Sequence, residues 1–296
     1  MKRLLLFCSL LCMSCLTALA QLTYPSAHNL GIGPYSFTDW ASTNAAGTYP
    51  PNMIFHRYAI TDGILTSQES INYSLGYAQA SGIKINGLGA NGIEFVNSSA
   101  TQSVGMAVVA LNTVNRSTVR VNFSAQFTAW NGSAPTPPRR EWAIRLQYLI
   151  PGNSWTDIVD GLGNPVEYVT TGKNPLHPVE TFSNIALPAA IENQSLVYVR
   201  WKFYWIGAVG GGSRPQVRLD DITINSQPAN VTPDRLVISS IVPSTPSSTS
   251  TFNVTVQALF TNIFHFLDID FIFYDGFNSL NIPSLLWRDD WNEYSF

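Results

Sequence analysis

Strict alternation of apolar and polar residues is the feature that most constrains the fold of this chain. From Val119 to Phe127 every odd position is apolar and every even position is polar. The same two-residue period recurs over 142–150 and 197–205. A period of two points successive side chains of a β-strand to opposite faces, so each stretch presents an apolar face that must be buried. The alternation therefore predicts three core strands in a layered β-structure.

The stretch 197–205 also assigns individual residues to the two faces of its strand. Trp201 shares the apolar face with Val199 and Phe203, so we predict that Trp201 lies in the core. Lys202 falls on the opposite face, and we predict that it is exposed to solvent. Tyr198, Arg200 and Tyr204 occupy that polar face with it.

Turn sequences separate the candidate strands along the chain, and no stretch of ten or more residues after the first twenty has a helical period of 3.6. Many strands punctuated by turns are typical of sandwiches and jelly rolls. We therefore predict an all-β protein with a two-sheet jelly-roll β-sandwich over residues 22–228. The turn signals include Asn86-Gly87, Asn91-Gly92, Asn131-Gly132 and Pro151-Gly152.

Residues 1–20 have the pattern of a secretory signal peptide. Lys2 and Arg3 precede an apolar run that is shorter than the ~20 residues of a membrane-spanning helix. Residues 18–20 then supply a small-x-small cleavage pattern, and all three cysteines lie within this segment. We expect a secreted or cell-surface protein that does not span the membrane and has no disulfide. An uncleaved anchor and a lipid anchor on Cys15 are the alternatives.

Charge and motif content exclude several functional classes. Without Lys2 and Arg3 the chain has 14 basic and 19 acidic residues, and only 12% of all residues are charged. No basic patch suited to a phosphate backbone is present, so we expect no nucleic-acid partner. The four histidines lack metal-ligand spacing, and no nucleophile elbow, P-loop or zinc-protease motif occurs. The sequence therefore nominates no catalytic residue.

Composition changes towards the C-terminus. Two strand-like stretches, 235–242 and 252–259, flank a segment rich in Pro, Ser and Thr, and from residue 260 onward there is no Val, Ala or Lys. We predict a linker and the start of an incomplete Ig-like unit over 229–260, because an Ig-like domain needs about 100 residues. Residues 261–296 are expected to be an atypical aromatic tail, either truncated or frame-shifted, or else packed back on the sandwich.

The segment 216–224 carries the most specific local pattern. Val217 and Leu219 share one face of a strand, whereas Ile222 and Ile224 fall in the opposite phase. The alternation therefore slips by one residue at the intervening aspartate pair, which predicts a β-bulge there.

This closing strand, reading Arg-x-Asp-Asp-Ile-x-Ile, resembles the last strands of MAM-type and related jelly-roll adhesion domains. Such domains begin secreted surface proteins of Bacteroidetes-type bacteria, which continue into Ig-like repeats. The chain departs from animal MAM domains in lacking their disulfide cysteines. The resemblance implies an adhesion role, with calcium bound at Asp220 and Asp221. From the residues alone, the aspartates could instead cap the bulge or pair with Arg218 or Arg200.

Four aromatic residues are candidates for a sugar-stacking platform. Tyr198 and Tyr204 lie on the polar face of their strand, and Trp130 and Trp155 lie near turns. Core and rim packing is the alternative for each of them. Together these features predict a monomeric, non-catalytic extracellular binding or adhesion module with a glycan or a cell-surface protein as partner. The alternatives are a secreted, glycosidase-like hydrolase whose catalytic part is unrecognised or missing, and a structural spacer.

Overall fold

The computed structural model describes residues 22–58, 65–66, 68–69, 71–78, 84–97, 105–132, 140–207 and 213–229, and four later strands by their backbone. The chain divides into two compact units, Met1–Ala229 and Asn230–Phe296. The predicted signal peptide and most of the predicted aromatic tail lie outside the described residues.

The first unit is built from β-strands and one short 3₁₀ turn, Ala189–Ile191, within its described residues. The first seven strands are β1 (His28–Asn29), β2 (Tyr35–Phe37), β3 (Met53–Arg57), β4 (Ile71–Asn72), β5 (Lys84–Gly87), β6 (Ile93–Val96) and β7 (Met106–Asn112). The next seven are β8 (Arg116–Asn131), β9 (Trp142–Leu149), β10 (Thr156–Asp157), β11 (Glu167–Val169), β12 (Glu180–Ala186), β13 (Val197–Trp205) and β14 (Arg214–Pro228).

These strands form two sheets that pack face to face. Sheet A has the order β10-β9-β13-β7-β3-β4, with β11 also paired to β9 and β1 paired in parallel to β7. Sheet B has the order β12-β8-β14-β6-β5, with β2 also paired to β14. The chain crosses repeatedly between the sheets, from β7 to β8 to β9 and from β12 to β13 to β14. The predicted all-β class and two-sheet sandwich are confirmed.

The three alternating stretches of the sequence supply the core between the sheets. They form β8, β9 and β13, and their apolar faces are buried. Trp201 has an exposed fraction of 0% and meets the ring of Phe123 edge to face, with centroids 5.9 Å apart. Phe203 stacks on Phe95 of sheet B at 5.2 Å. The prediction that Trp201 belongs to the core is confirmed.

The prediction that Lys202 is exposed to solvent is wrong. Its side chain has an exposed fraction of 0%, and its Nζ donates a hydrogen bond to the carbonyl of Leu65 at 2.5 Å. The ammonium also lies 5.5 Å from the centre of the Tyr58 ring. Alternation places Lys202 on the outer face of sheet A, as predicted, but other parts of the chain cover that face here. A polar position in an alternating strand is therefore not necessarily solvated.

The bulge predicted in β14 is confirmed. The β14–β8 register shifts between Asp220 and Thr223, and Asp221 adopts a left-handed backbone with φ of 52°. The extra residue turns Asp221 outward and returns Ile222 and Ile224 to the buried face, where both have an exposed fraction of 0%. The bulge therefore lets one strand keep its apolar side inward along its length.

In the second unit the structure describes four strands: β15 (Leu236–Val242), β16 (Asn253–Ala258), β17 (Ile272–Tyr274) and β18 (Ser279–Asn281). Strands β15 and β16 pair antiparallel, as do β17 and β18. The two strands predicted around 235–242 and 252–259 are thus present. The linker, the Ig-like assignment and the aromatic tail stay predictions.

We expect the sandwich to fold without the second unit. Its last strand, β14, ends at Pro228, and the division between the compact units follows Ala229. A chain that starts at Leu22 and ends at Asn230 should show β-type circular dichroism and one cooperative thermal transition, within a few degrees of the longer chain. A protein that is soluble only when residues 231–296 are present would contradict this expectation.

Candidate binding cleft

A cleft with a volume of about 820 Å³ opens on the outer face of sheet A, above β9, β10 and β13. Polar side chains from these strands form its floor, and residues before β1, before β4 and around β10 form its walls. The lining includes Tyr24, Gln68, Glu69, Gln147, Asn153, Ser154, Trp155, Thr156, Asp157 and Arg200. We call this feature the cleft.

A buried ion pair anchors the floor of the cleft. Arg200 Nη1 lies 2.7 Å from Glu69 Oε2, and the two side chains have exposed fractions of 2% and 4%. The other oxygen of Glu69 accepts hydrogen bonds from Trp155 Nε1 at 2.8 Å and from the Tyr24 hydroxyl at 3.1 Å. Burial acts to raise the pKa of Glu69, but Arg200, a hydrogen bond from the backbone amide of Glu69 and the hydrogen bond from Trp155 outweigh it and hold the pKa below its usual value. Glu69 is therefore an ionised carboxylate at neutral pH.

The network continues from Arg200 across β9 to β10. Arg200 Nε donates to Gln147 Oε1 at 2.8 Å, and these two residues face each other in the β13–β9 ladder. Gln147 Nε2 in turn donates to Asp157 Oδ1 at 2.6 Å. The second oxygen of Asp157 accepts from Arg145 Nη1 at 2.8 Å. Three side chains that line the cleft, those of Arg200, Gln147 and Asp157, are thus held by one another and by Arg145.

Beyond Arg145 the network leaves the cleft. Arg145 also bridges to Glu167 Oε2 at 2.8 Å, and the Tyr204 hydroxyl donates to the same oxygen at 2.7 Å. The guanidinium of Arg145 lies 5.6 Å from the centre of the Tyr204 ring. This outer part ties β11 to β9 and β13 and keeps Arg145 pointed at Asp157.

One of the four predicted platform aromatics, Trp155, lines the cleft, and a second, Tyr198, contacts a residue that lines it. Trp155 is half-buried, and the Arg200 guanidinium lies 3.9 Å from its ring centre, within cation–π range. Tyr198 contacts Tyr24, with centroids 4.4 Å apart, and Tyr24 lines the cleft. Trp155 and Tyr198 both pack against a small apolar cluster on this outer face that includes Met106.

The other two predicted aromatics lie elsewhere. Tyr204 has an exposed fraction of only 4% and is held by Glu167; burial is the main cause that raises its pKa. Trp130 belongs to β8 in sheet B and packs edge to face on Phe127 at 4.6 Å. For these two residues the contacts are those of core and rim packing.

The aspartate pair at the bulge makes contacts within the protein. Asp220 has an exposed fraction of 1% and accepts a hydrogen bond from Arg218 at 3.0 Å, and burial raises its pKa. Asp221 accepts one from the Ser124 hydroxyl at 2.8 Å. Within the residues that the structure describes, no three His, Cys, Asp or Glu side chains are grouped to hold a metal ion. Calcium at this pair stays a prediction, while the observed contacts are those that shape a bulge.

Glu69, Tyr24 and Asp157 are cleft residues that the sequence patterns do not reveal. Glu69 and Tyr24 lie in segments without alternation, and nothing in the sequence shows that they converge on β13. A signal did exist in the strands themselves. Arg145 and Arg200 stand on the polar faces of two neighbouring strands in a chain with only 12% charged residues. Arginines concentrated on one strand face require acidic or hydrogen-bonding partners when they are buried, and the positions of those partners indicate the site.

Comparison with known proteins leaves the family open. No family model matches the chain, and no curated protein matches it, so the resemblance to MAM-type domains gains no support at the family level. Among solved structures, the chain is similar to the K2 cleaved adhesin domain of Lys-gingipain. The identity is 12%, the coverage is 64% of this chain and 97% of that chain, and the TM-score is 0.27. A likeness of this extent carries no argument about function.

Proposed function

We propose that this protein is a non-catalytic extracellular binding module and that the cleft holds a glycan. The observation that carries the proposal is the placement of the Trp155 ring beside a fixed set of hydrogen-bonding side chains, Gln147 and Asp157 among them. Sugars present apolar C–H faces that pack on aromatic rings, and hydroxyl groups that bond to amides and carboxylates. The volume of about 820 Å³ is in the range of small-ligand sites.

The polar floor supports tight positioning of a ligand. Gln147 and Asp157 are each held by an arginine before any ligand arrives, through bonds of 2.8 Å from Arg200 and Arg145. Side chains that are already ordered lose little conformational entropy on binding. The cleft is therefore organised to recognise a ligand by hydrogen bonds rather than by burial alone.

The state of the carboxylates favours binding over glycoside hydrolysis. Hydrolysis needs a protonated carboxylic acid that donates to the leaving oxygen and a second carboxylate. Glu69 is ionised and engaged by Arg200, Trp155 and Tyr24. Both oxygens of Asp157 accept hydrogen bonds, from Gln147 and Arg145. Neither group is arranged as a proton donor, so the hydrolase is the second-ranked function.

The extracellular location belongs to the same proposal. Its support is the signal-peptide pattern of residues 1–20. In the described parts of the chain, no helix reaches the length and apolarity needed to cross a bilayer.

A glycan array followed by calorimetry with the retained sugar tests the proposal. We expect Trp155→Ala to weaken binding by about tenfold or more, because the packing of a sugar C–H face on the ring is lost. Trp155→Phe keeps a ring and should retain most of the affinity. Trp130→Ala is the matched control, since Trp130 lies in sheet B. The affinity of this variant for the sugar should stay within about twofold of that of the unaltered protein. Glycan binding at the cleft would be refuted if no glycan on the array were retained, or if Trp155→Ala bound the sugar with unchanged affinity.

A further inference from the structure

The charged groups of the cleft are few and differ in exposure. Of the described residues that line it, three carry a charge: Glu69, Asp157 and Arg200. Two carboxylates and one guanidinium give this part of the lining a net charge of −1. The side chain of Asp157 is 30% exposed, whereas those of Glu69 and Arg200 are 4% and 2% exposed. A ligand in the cleft therefore meets the Asp157 carboxylate before the other two charges.

Arg200 is not available to an anionic ligand. Its Nη1 lies 2.7 Å from Glu69 Oε2, and its Nε donates to Gln147 Oε1 at 2.8 Å. The indole ring of Trp155 covers the guanidinium, with 3.9 Å between the guanidinium carbon and the ring centre. An arginine binds a carboxylate or a sulfate by presenting two parallel N–H donors to it. Because Arg200 is buried and already engaged, the described part of the lining offers no open cation to such a group.

The charge of Asp157 is only partly balanced by its neighbours. Its two oxygens accept hydrogen bonds from Gln147 and Arg145. Arg145 is shared, because its guanidinium also lies 2.8 Å from Glu167 Oε2. One guanidinium thus serves two carboxylates, and negative charge is in excess along this set of contacts. An anionic group bound in the cleft would lie close to a carboxylate, and like charges at short range repel each other.

The other polar groups that line the cleft suit uncharged hydroxyls. Five of them belong to exposed residues with amide or hydroxyl side chains: Thr66, Gln68, Asn153, Ser154 and Thr156. Amides and hydroxyls both donate and accept hydrogen bonds, as sugar hydroxyls do. A carboxylate or sulfate group only accepts, so it would compete with Asp157 for the same donors. The lining therefore matches a neutral sugar better than an acidic one.

We propose that the cleft selects uncharged glycans and rejects glycans with carboxylate or sulfate groups, and that Asp157 determines this specificity. The inference rests on the proposed function, because it names the class of glycan that the same cleft takes. Repulsion of the wrong ligand is a general route to specificity. In this assignment Arg200 holds Glu69 and Gln147 in place, and the Asp157 carboxylate discriminates between ligands by charge.

Paired oligosaccharides on a glycan array, followed by calorimetry on the full-length protein, test this specificity. Each pair joins a neutral tetrasaccharide to its uronate counterpart of the same linkage: cellotetraose with tetraglucuronate, mannotetraose with tetramannuronate, and galactotetraose with tetragalacturonate. We expect the retained probes to be neutral. The uronate of a retained pair should bind at least about tenfold more weakly, because like charges in contact oppose binding. This difference should shrink as the salt concentration rises from about 20 to about 150 mM.

Asp157→Asn tests the residue to which we assign the specificity. The amide keeps an oxygen towards Arg145 but removes the negative charge, so the ratio of neutral to uronate affinity should fall about fivefold or more. Asp160→Asn is the matched control. It removes the same charge three residues later, from an exposed side chain that does not line the cleft, and Asn keeps the oxygen that accepts from the backbone amides of Leu162 and Asn164. Its ratio should stay within about twofold of that of the unaltered protein.

Several outcomes would overturn the inference and leave glycan binding at the cleft, the proposed function, standing. They are uronates that bind as tightly as their neutral partners, an unchanged ratio in Asp157→Asn, and an equal fall of the ratio in Asp157→Asn and Asp160→Asn. A difference between paired probes that does not depend on salt would overturn it even if neither variant folds. Retention of none of the six probes would also overturn it, whereas the proposed function falls only if the wider array retains no glycan or Trp155→Ala has no effect.

Discussion

Replacing Trp201 by Ala should lower the free energy of unfolding by about 3–5 kcal/mol. The side chain is wholly buried between the sheets, and its ring packs edge to face on Phe123. Trp201 also faces Ala107 on one neighbouring strand and Leu146 on the other, so no edge of the sheet is available for relaxation. Truncation removes a large apolar group and leaves a cavity that rigid strands fill poorly.

Urea denaturation of the variant and the unaltered protein measures this change. Leu176→Ala is the control, because this leucine is 92% exposed and its truncation should change stability by less than about 0.5 kcal/mol. Equal losses for the two substitutions would show that Trp201 does not pack in the core and that the register of β13 is different.

The periodic parts of the chain are those whose structure could be predicted from sequence. The strand period fixes which side of β13 holds Trp201, and a slip in that period locates the bulge at Asp221, because both depend only on neighbouring residues. What lies above a strand face depends on distant segments. For that reason the strand period assigns Lys202 to solvent although it is covered, and it places Tyr204 on a platform although that side chain is nearly buried.

The cleft shows the same limit on prediction. Trp155 is a candidate by residue type and by its position near a turn, and it lines the cleft. Glu69, which bonds to Trp155 and Arg200, is 131 residues from Arg200 in the chain and lies in no periodic stretch. Only the fold brings these two charges together, so a single sequence shows the arginine and not its partner.

Replacing either partner of the Glu69–Arg200 ion pair should lower the free energy of unfolding by about 3–5 kcal/mol, because one buried charge is left without its partner. Glu69→Leu leaves the Arg200 guanidinium buried without its carboxylate. Arg200→Met leaves the Glu69 carboxylate without its guanidinium, although Trp155 and Tyr24 still contact it. The double variant removes both charges and should cost clearly less than the sum of the two single changes. A double-mutant cycle by urea denaturation measures this coupling, and additive losses would contradict it.

Acid titration of the same variants checks the assignment independently. The pKa of Glu69 is lower in the folded protein than in the unfolded chain, so ionisation of Glu69 stabilises the fold. This contribution should be fully present above the unfolded pKa of about 4.3 and should be lost as the pH falls through the lower folded pKa. The difference in stability between the unaltered protein and Glu69→Leu should therefore be constant near neutral pH and shrink on acidification. A difference that grows as the pH falls would mean that burial, and not Arg200, controls the ionisation of Glu69.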